Sequence, residues 1–454
     1  MARKKATVAT LFKEAPITSY PNTDNRLLVI DWASLSYHQF HSLGSAKNKE
    51  KYGLLDAEGE IQLWRTMMVT RLIDYISLFN PRHIIFALEG KDAWRRGVVK
   101  EYYNTHSEVY WNKTEYYIQS DNDVFMVQQA GAGFAVTKFG PDTLKDLAEL
   151  KHRKLCDMPE KQRRMFWDVY TAGGDPILPS YKGTRKKKPW TFAIDKKVWA
   201  EYRERFAFEL APLFRAKAVQ CMRAEGDDVI YASVKKYAGE MDDVIVITRD
   251  SDMCQIDVPG VKLFNHMTGN FMKEDDPAKY LDGKVLSGDT SDNVHGMAFV
   301  DQKTGKFKAD KKTRISEAGA RTLLESCPNI YSTAKDEGWV DQYVRNRTLI
   351  DLSRVPKDVS AEIDMALDAP ESELGGFERL EFWCVPDMIR RSYLSLQNAG
   401  FYAVNPVVGA IPFNRALFAP PPPPKENVDV RPDDVITASN IGNLGGIEDI
   451  DVIF

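Results

Sequence analysis

The stretch VIVITRDSDMCQI, residues 244–256, runs a β-branched, apolar strand pattern straight into Arg249, Asp250, Ser251 and Asp252. A strand of that composition belongs in the buried part of a parallel sheet, where an uncompensated charge is costly. Two carboxylates one residue apart at its end therefore need a partner. Similar strand patterns recur along the chain as RLLVID (26–31), HIIFAL (83–88), AKAVQ (216–220) and VKLF (261–264), with helical patterns between them. One of these helices carries Leu72, Tyr75, Ile76 and Phe79 at helical spacing and is closed by Asn80 and Pro81. Strands alternating with helices predict an α/β unit built on a mainly parallel sheet.

In such a sheet the carboxyl ends of the strands line the ligand crevice. Acids recur there. Asp31 ends RLLVID, Glu89 follows HIIFAL, and Asp250 and Asp252 follow VIVIT. AEGDDVIYA adds Glu225, Asp227 and Asp228 at an expected helix start, and LSGDTSDNVHG adds Asp289 and Asp292. One acid at a helix start, such as Asp227, is ordinarily a cap. Carboxylates at every one of four strand ends repel one another, raise each other's pKa and call for a cation. With no His or Cys among them, oxygen ligation favours Mg²⁺ or Mn²⁺ over zinc, and a set of this size suits two ions about 4 Å apart. Two basic runs, YKGTRKKKPW (181–190) and KTGKFKADKKTR (303–314), accompany the acids. Metals plus local Lys/Arg runs point to a phosphodiester substrate.

The rest of the composition bounds this reading. At 454 residues the chain is expected to hold two or three structural units. A net charge of −4 argues against wholesale non-specific binding of nucleic acid, so any such contact must be local. Five scattered cysteines fit reduced thiols and a cytoplasmic setting, and none has zinc-site spacing. The basic start lacks the apolar core of a secretory signal, and no apolar run reaches membrane-spanning length. The expected organisation is an N-terminal extension (1–25), an α/β core (26–285) interrupted by an insertion at about 97–180, a helix-rich region (286–406), and a tail (407–454). The tail opens on polyproline and closes on the apolar peptide GGIEDIDVIF.

Six segments taken together resemble the 5′ nuclease family of flap endonucleases, bacterial 5′ to 3′ exonuclease domains and phage exonucleases, with the strongest likeness to the ribonuclease H of T-even phages. They are IDWASLSY (30–37), IIFALEGKDAWRR (84–96), YKGTRKKK (181–188), AEGDDVIYASVKKY (224–237), VITRDSDMCQI (246–256) and LSGDTSDNVHGM (286–297), and they occur in family order. The resemblance implies a PIN/flap-endonuclease-like core with a helical arch, followed by a helix–three-turn–helix element that grips duplex DNA. It assigns Asp31, Glu89, Glu225, Asp227, Asp250 and Asp252 to metal binding, with Asp228, Asp289 and Asp292 completing the second metal's surroundings.

Tyr181, Lys182 and Arg185 match the arch-base residues that stack on and polarise the scissile nucleotide, and Lys182 is the expected catalytic cation. Arg95, Arg96, Lys186, Lys187, Lys188, Ser291, Lys303, Lys306, Lys308, Lys311 and Lys312 are expected to contact nucleic acid, with a K⁺ site at the turn near Ser291. The implied activity is Mg²⁺-dependent cleavage at 5′ ends or flaps of DNA or RNA–DNA duplexes by a monomer, as in primer removal during phage replication. The tail is similar to peptides that dock replication enzymes on a sliding clamp or single-strand-binding protein. The chain departs from the family pattern in Glu89, where Asp is usual, in the insertion before YKGTRKKK, and in the lengthened basic stretch after DNVHGM. Two rival classes are a catalytically weak replisome-binding protein and a PIN-type toxin ribonuclease, the second disfavoured by the SGDTSDNVHG element.

Overall fold

The computed structural model describes residues 16–370 except 22, 24, 54, 121–122, 131–132, 140–146, 148, 172–176, 184–188, 297–319, 321–323, 326–328 and 337. The first strand, β1 (Arg26–Asp31), is buried at all six positions. Its side chains alternate between two cores. Leu28 and Ile30 join Trp64, Leu72, Phe79 and Phe206 on one face, while Leu27 and Val29 join Val219, Val229, Val246 and Ile363 on the other. A strand with apolar partners on both faces belongs in the middle of a sheet, and each large side chain buried this way contributes roughly 1.5–3 kcal/mol.

Helices α1 (Trp32–Leu43), α2 (Ala46–Tyr52) and α3 (Ala57–Phe79) lead to β2 (His83–Ala87). The α3 helix starts on Asp56, which accepts from Gly59 N, and ends at Asn80 in the left-handed conformation (φ +46°), as the Asn-Pro pair predicts. Helix α4 (Trp94–His106) follows, and then the inserted segment: β3 (Glu108–Trp111), β4 (Glu115–Ser120), β5 (Asp123–Ala130), β6 (Gly133–Phe139), β7 (Lys151–Lys154) and α5 (Glu160–Trp167). The core resumes with α6 (Lys196–Leu210), β8 (Ala216–Val219), α7 (Gly226–Tyr237), β9 (Asp243–Thr248), β10 (Val261–Asn265) and β11 (Asn270–Met272). Among the described residues the main sheet has the order β11-β10-β9-β1-β2-β8. Every neighbouring pair is parallel except β10 with β11. The expected α/β class is therefore found.

The inserted residues form a sheet of their own, antiparallel throughout, in the order β6-β5-β4-β3-β7. Residues 97–106, expected to lie in the insertion, instead continue α4. The inner face of this sheet packs Val109, Ile118, Phe125 and Val127 against Val99 and Tyr103 of α4 and against Leu281, Val285 and Leu286. Residues 189–195, between the arch base and α6, are not helical. Trp190 and Phe192 in that stretch pack on Phe40.

Helix α8 (Pro277–Ser287) runs across the boundary expected at 285/286 and is followed by a two-strand hairpin, β12 (Gly288–Asp289) and β13 (Val294–His295). Then come α9 (Ile330–Asp336), α10 (Val340–Ile350) and α11 (Lys357–Asp368), the last laying Val359, Ile363 and Leu367 against the β1 and α7 core. Helix α8 and the hairpin supply the first half of the expected helix–three-turn–helix. The basic run 303–314, most of the stretch where the second helix is expected, and the tail lie outside the described residues. Part of the N-terminal extension docks on the core, with Ile17 N donating to Gly269 O at 3.0 Å and the Tyr20 hydroxyl to Asp243 at 2.9 Å.

Gly288, at the α8–β12 junction, has φ +72° and ψ 179°, and a Cβ there would stand 2.3 Å from Gly296 N and 2.4 Å from Val294 O. Only glycine fits. Gly288→Ala is expected to lower the unfolding free energy by about 2–4 kcal/mol, read from the denaturant midpoint. A loss below about 0.5 kcal/mol, the range of an ordinary surface change, contradicts this account of the hairpin.

Candidate active site

Because β1, β2, β8 and β9 are parallel, their carboxyl ends open on one edge, and the acids that follow them meet there. Asp31 is buried, caps α1 by accepting from Ser34 N at 2.9 Å, and accepts from the Thr248 hydroxyl at 2.8 Å. Burial, with Asp250 nearby, raises its carboxyl to about 6. Burial likewise raises Glu89, against the pull of Lys182 and with the repulsion of Glu225 and Asp31. The extra methylene of Glu89 brings its carboxylate to the start of α7, where it accepts from Gly226 N at 3.3 Å. Asp227 is held well above the ordinary carboxylate range by burial and then by Asp250, Asp31, Glu89 and Glu225. These four, Asp31, Glu89, Asp227 and Asp250, form a mutually repelling group.

The cap of α7 falls on other residues than Asp227. Glu225 is the N-cap and Asp228 the third helical residue, and the two exchange side-chain-to-backbone bonds in a capping box. Asp228 is fully buried and committed. It pairs with Arg95 at 2.8 Å, and it accepts from the Trp94 indole and from Glu225 N at 3.0 Å each. Arg95 also reaches Glu225 at 2.9 Å and donates to Leu349 O at 2.8 Å. Two expectations are corrected here. Arg95 is 2% exposed and serves internal carboxylates, so it is not presented to a nucleic-acid backbone, and Asp228 is a structural anion. The signal for Arg95 was its place in WRR after a strand-end acid, but sequence alone cannot tell an inward guanidinium from an outward one. Arg96, its neighbour, is exposed.

Tyr181 is 8% exposed, with its hydroxyl 2.9 Å from Glu225 and 2.7 Å from Asp292. Its ring belongs to the core of the inserted sheet, so a stacking role on a nucleotide is not what this placement offers. Lys182 adopts φ +60°, an uncommon conformation for a non-glycine residue, fixed by its N–H donating to Asp292 O at 2.8 Å. Its ammonium pairs with Glu225 and lies 3.9 Å from Asp292. Burial disfavours that charge, but Glu225, Asp292 and Glu89 hold the ammonium well above the ordinary lysine range. The second acidic group is held by a lysine the sequence reading missed. Lys284, on α8, lies 2.6 Å from Asp252 and 3.2 Å from Asp289. Burial and Asp250 raise Asp252 to about 7, whereas Lys284 and Ser291 outweigh burial at Asp289 and bring it to about 2.

Ser291 is exposed and donates its N–H to Asp289 at 2.7 Å. Arg185 and Lys186, Lys187 and Lys188 lie outside the described residues, as do Lys303, Lys306, Lys308, Lys311 and Lys312. A hard divalent cation suits the chemistry of this donor set, which is all oxygen and, at Asp31, Glu89, Asp227 and Asp252, raised by burial and then by neighbouring carboxylates. Among the described residues no three of these acids are already spaced as one ion's shell, and Lys182 and Lys284 hold Glu225, Asp292, Asp252 and Asp289 in ion pairs.

Arg95→Met leaves buried Asp228 uncompensated and is expected to cost about 3–5 kcal/mol of stability. Arg95→Met with Asp228→Asn is expected to recover part of the loss, and full additivity of the two changes in denaturant unfolding contradicts the pairing. The raised carboxyls set a pH trend. Asp31 and Asp252 bind protons more tightly folded than unfolded, so their contribution to stability is complete below about pH 4 and is lost as pH rises through 6 and 7. In chelator, stability is expected to fall between pH 5 and 8 by about 1–3 kcal/mol. Added Mg²⁺ should stabilise more at pH 8 than at pH 5, measured as the melting-temperature difference. A gain independent of pH would show that these carboxylates do not hold the ion.

No family model matches the chain. DNA polymerase I of Streptococcus pneumoniae is 31% identical over 220 residues, 44% of this chain and 23% of the polymerase. The match thus spans about a quarter of that relative's length. Ribonuclease H of Enterobacteria phage T4 is 25% identical over 191 residues, covering 40% of this chain and 61% of the phage protein. A solved structure of the T5 5′-exonuclease with bound divalent zinc ions superposes with a TM-score of 0.42 at 14% identity, over 76% of this chain and all of that one. The six motifs stand in family order with their acids at one edge of a parallel sheet, and the chain is similar in sequence to proteins named 5′-3′ exonuclease and ribonuclease H.

Proposed function

We propose that the chain is a divalent-cation-dependent 5′ nuclease that hydrolyses phosphodiester bonds at 5′ ends or flaps of DNA and RNA–DNA duplexes. The observation that supports this most is the gathering of Asp31, Glu89, Asp227 and Asp250 at the strand-end edge beside the Lys182 ammonium. Two Mg²⁺ ions, with Mn²⁺ able to substitute, would supply an activated water and neutralise the leaving oxygen. The chain's own residues do the rest. Lys182, kept charged by Glu225 and Asp292, offers a fixed cation to the charge that grows on the phosphate. Tyr181 holds the two carboxylates that hold Lys182.

Arg96, Arg185, Lys186 to Lys188 and the 303–314 lysines are the proposed backbone contacts, with a K⁺ site at the turn near Ser291. Primer removal and lagging-strand processing in phage replication, by a monomer whose tail docks on a sliding clamp or single-strand-binding protein, complete the reading. The relatives named as a polymerase and a ribonuclease H support it.

A 5′-labelled flap and a nicked RNA–DNA duplex, each with and without Mg²⁺, test it. Asp252→Asn is expected to abolish Mg²⁺-dependent cutting while duplex affinity stays largely intact. Lys182→Ala should lower single-turnover cleavage by about 10²–10³ with little change in Kd, as for a contact made chiefly in the transition state. Equal loss of binding and cutting in Asp252→Asn sinks the catalytic assignment. Binding without cleavage by the unaltered protein would instead fit a structure-specific binding protein.

A further inference from the structure

The inserted sheet carries a surface that the cleavage reading does not use. In its register Tyr110 lies opposite His152 of β7 on one side and Tyr117 of β4 on the other. Register partners share a face, so His152, Tyr110 and Tyr117 form a row of three rings across three strands. The Tyr110 and His152 rings are stacked at 5.5 Å and 20°. Residues on the opposite face, Val109, Ile118, Phe125 and Val127, are buried in the core, which puts the ring row on the outer face. The row ends on an edge strand, Lys151–Lys154, exposed at all four positions and carrying three permanent cations. Tyrosines in a strand are unremarkable by propensity. Rings in line with a fully exposed Lys-His-Arg-Lys edge are a different matter, because bases stack on such rings while phosphates meet the cations.

Both ends of the inserted segment are tied to the candidate active site. Helix α4 leads into it, and Arg95 in the first turn of α4 pairs with Glu225; the chain returns from it to Tyr181, whose hydroxyl meets the same carboxylate. The 13 residues of α4 span roughly 20 Å, a reach of a few nucleotides. We infer that this face is a binding site for single-stranded nucleic acid, with bases on His152, Tyr110 and Tyr117 and a phosphate on Lys154, which shares the face of His152. Under the proposed function, on which this identification of the strand rests, the ligand is the single-stranded 5′ arm of the substrate.

The test uses the full chain in chelator, so that no cleavage is needed, and fluorescence anisotropy on a duplex that is blunt or carries a 5′ tail of about 12 thymidines. The unaltered protein is expected to bind the tailed duplex at least tenfold more tightly than the blunt one. His152→Ala with Lys154→Ala should remove most of that increment and leave blunt-duplex affinity within twofold. An abasic tail should lose at least fivefold against thymidine, since stacking needs bases. Lys154→Gln, at an exposed position, should flatten the salt dependence for the tailed duplex by about 0.7 log unit per log unit of salt, the value for one phosphate contact on a single strand.

Equal affinity for tailed and blunt duplexes, equal weakening of both by the double substitution, or full binding of the abasic tail overturns the site. Cleavage with no tail increment sinks this inference alone. A tail increment in a protein that cuts nothing sinks the nuclease reading alone.

Discussion

The buried carboxylate of Glu225 is the point on which the arrangement turns. It receives Arg95 from α4, Tyr181 and Lys182 from the segment after the inserted sheet, and it caps α7 with Asp228. Three stretches far apart in sequence are tied to one side chain. Burying this many charges costs desolvation energy that their attraction roughly offsets, so the cluster adds little net stability. What it adds is register: with Arg95 committed to Glu225 and Asp228 at close range, neither α4 nor the Tyr181 segment can slide without exposing an unpaired charge.

Around this neutralised centre the protein keeps a group of carboxylates that are not neutralised. Asp31 is pushed up to about 6 and Asp227 is raised by burial and then by its acidic neighbours, while Asp252, although paired with Lys284, is still pushed up to about 7. The parallel sheet is the reason they are close, since it delivers the end of each strand to the same edge. Lys182 and Lys284 relieve part of the repulsion from outside the four-acid group. An acidic edge of this kind works against folding, and its persistence beside a lysine at φ +60° places the local strain and the unpaid charge at one site.

Between Arg95 and Tyr181 the chain accommodates a whole antiparallel sheet. Loop closure grows only slowly in cost with length, and here both ends of the long excursion close on Glu225, so the site tolerates it. The inserted sheet is also not a free appendage. Its inner face shares a core with α4, α8 and α10 through Val99, Leu281, Val285 and Leu349.

Strand periodicity, the Asn80–Pro81 stop and the strand-end acids were legible in the sequence, because each depends on local pattern and on the one rule that parallel strands share a carboxyl edge. That was enough for the α/β class and for the candidacy of Asp31, Glu89, Asp227 and Asp250. Partner choice was not legible. Arg95 and Arg96 are adjacent and chemically identical, yet one is buried against Asp228 and the other is exposed, a difference set by the phase of α4 against the sheet. Likewise Asp227 and Asp228 are neighbours in AEGDDV, but the helical turn gives the cap and the guanidinium to Asp228 and leaves Asp227 among like charges. The sequence alone determined which residue types were available at the edge. Only tertiary packing decided which of them are neutralised inside the protein and which stay free to hold a cation, because that depends on what approaches from α4, α8 and the inserted sheet.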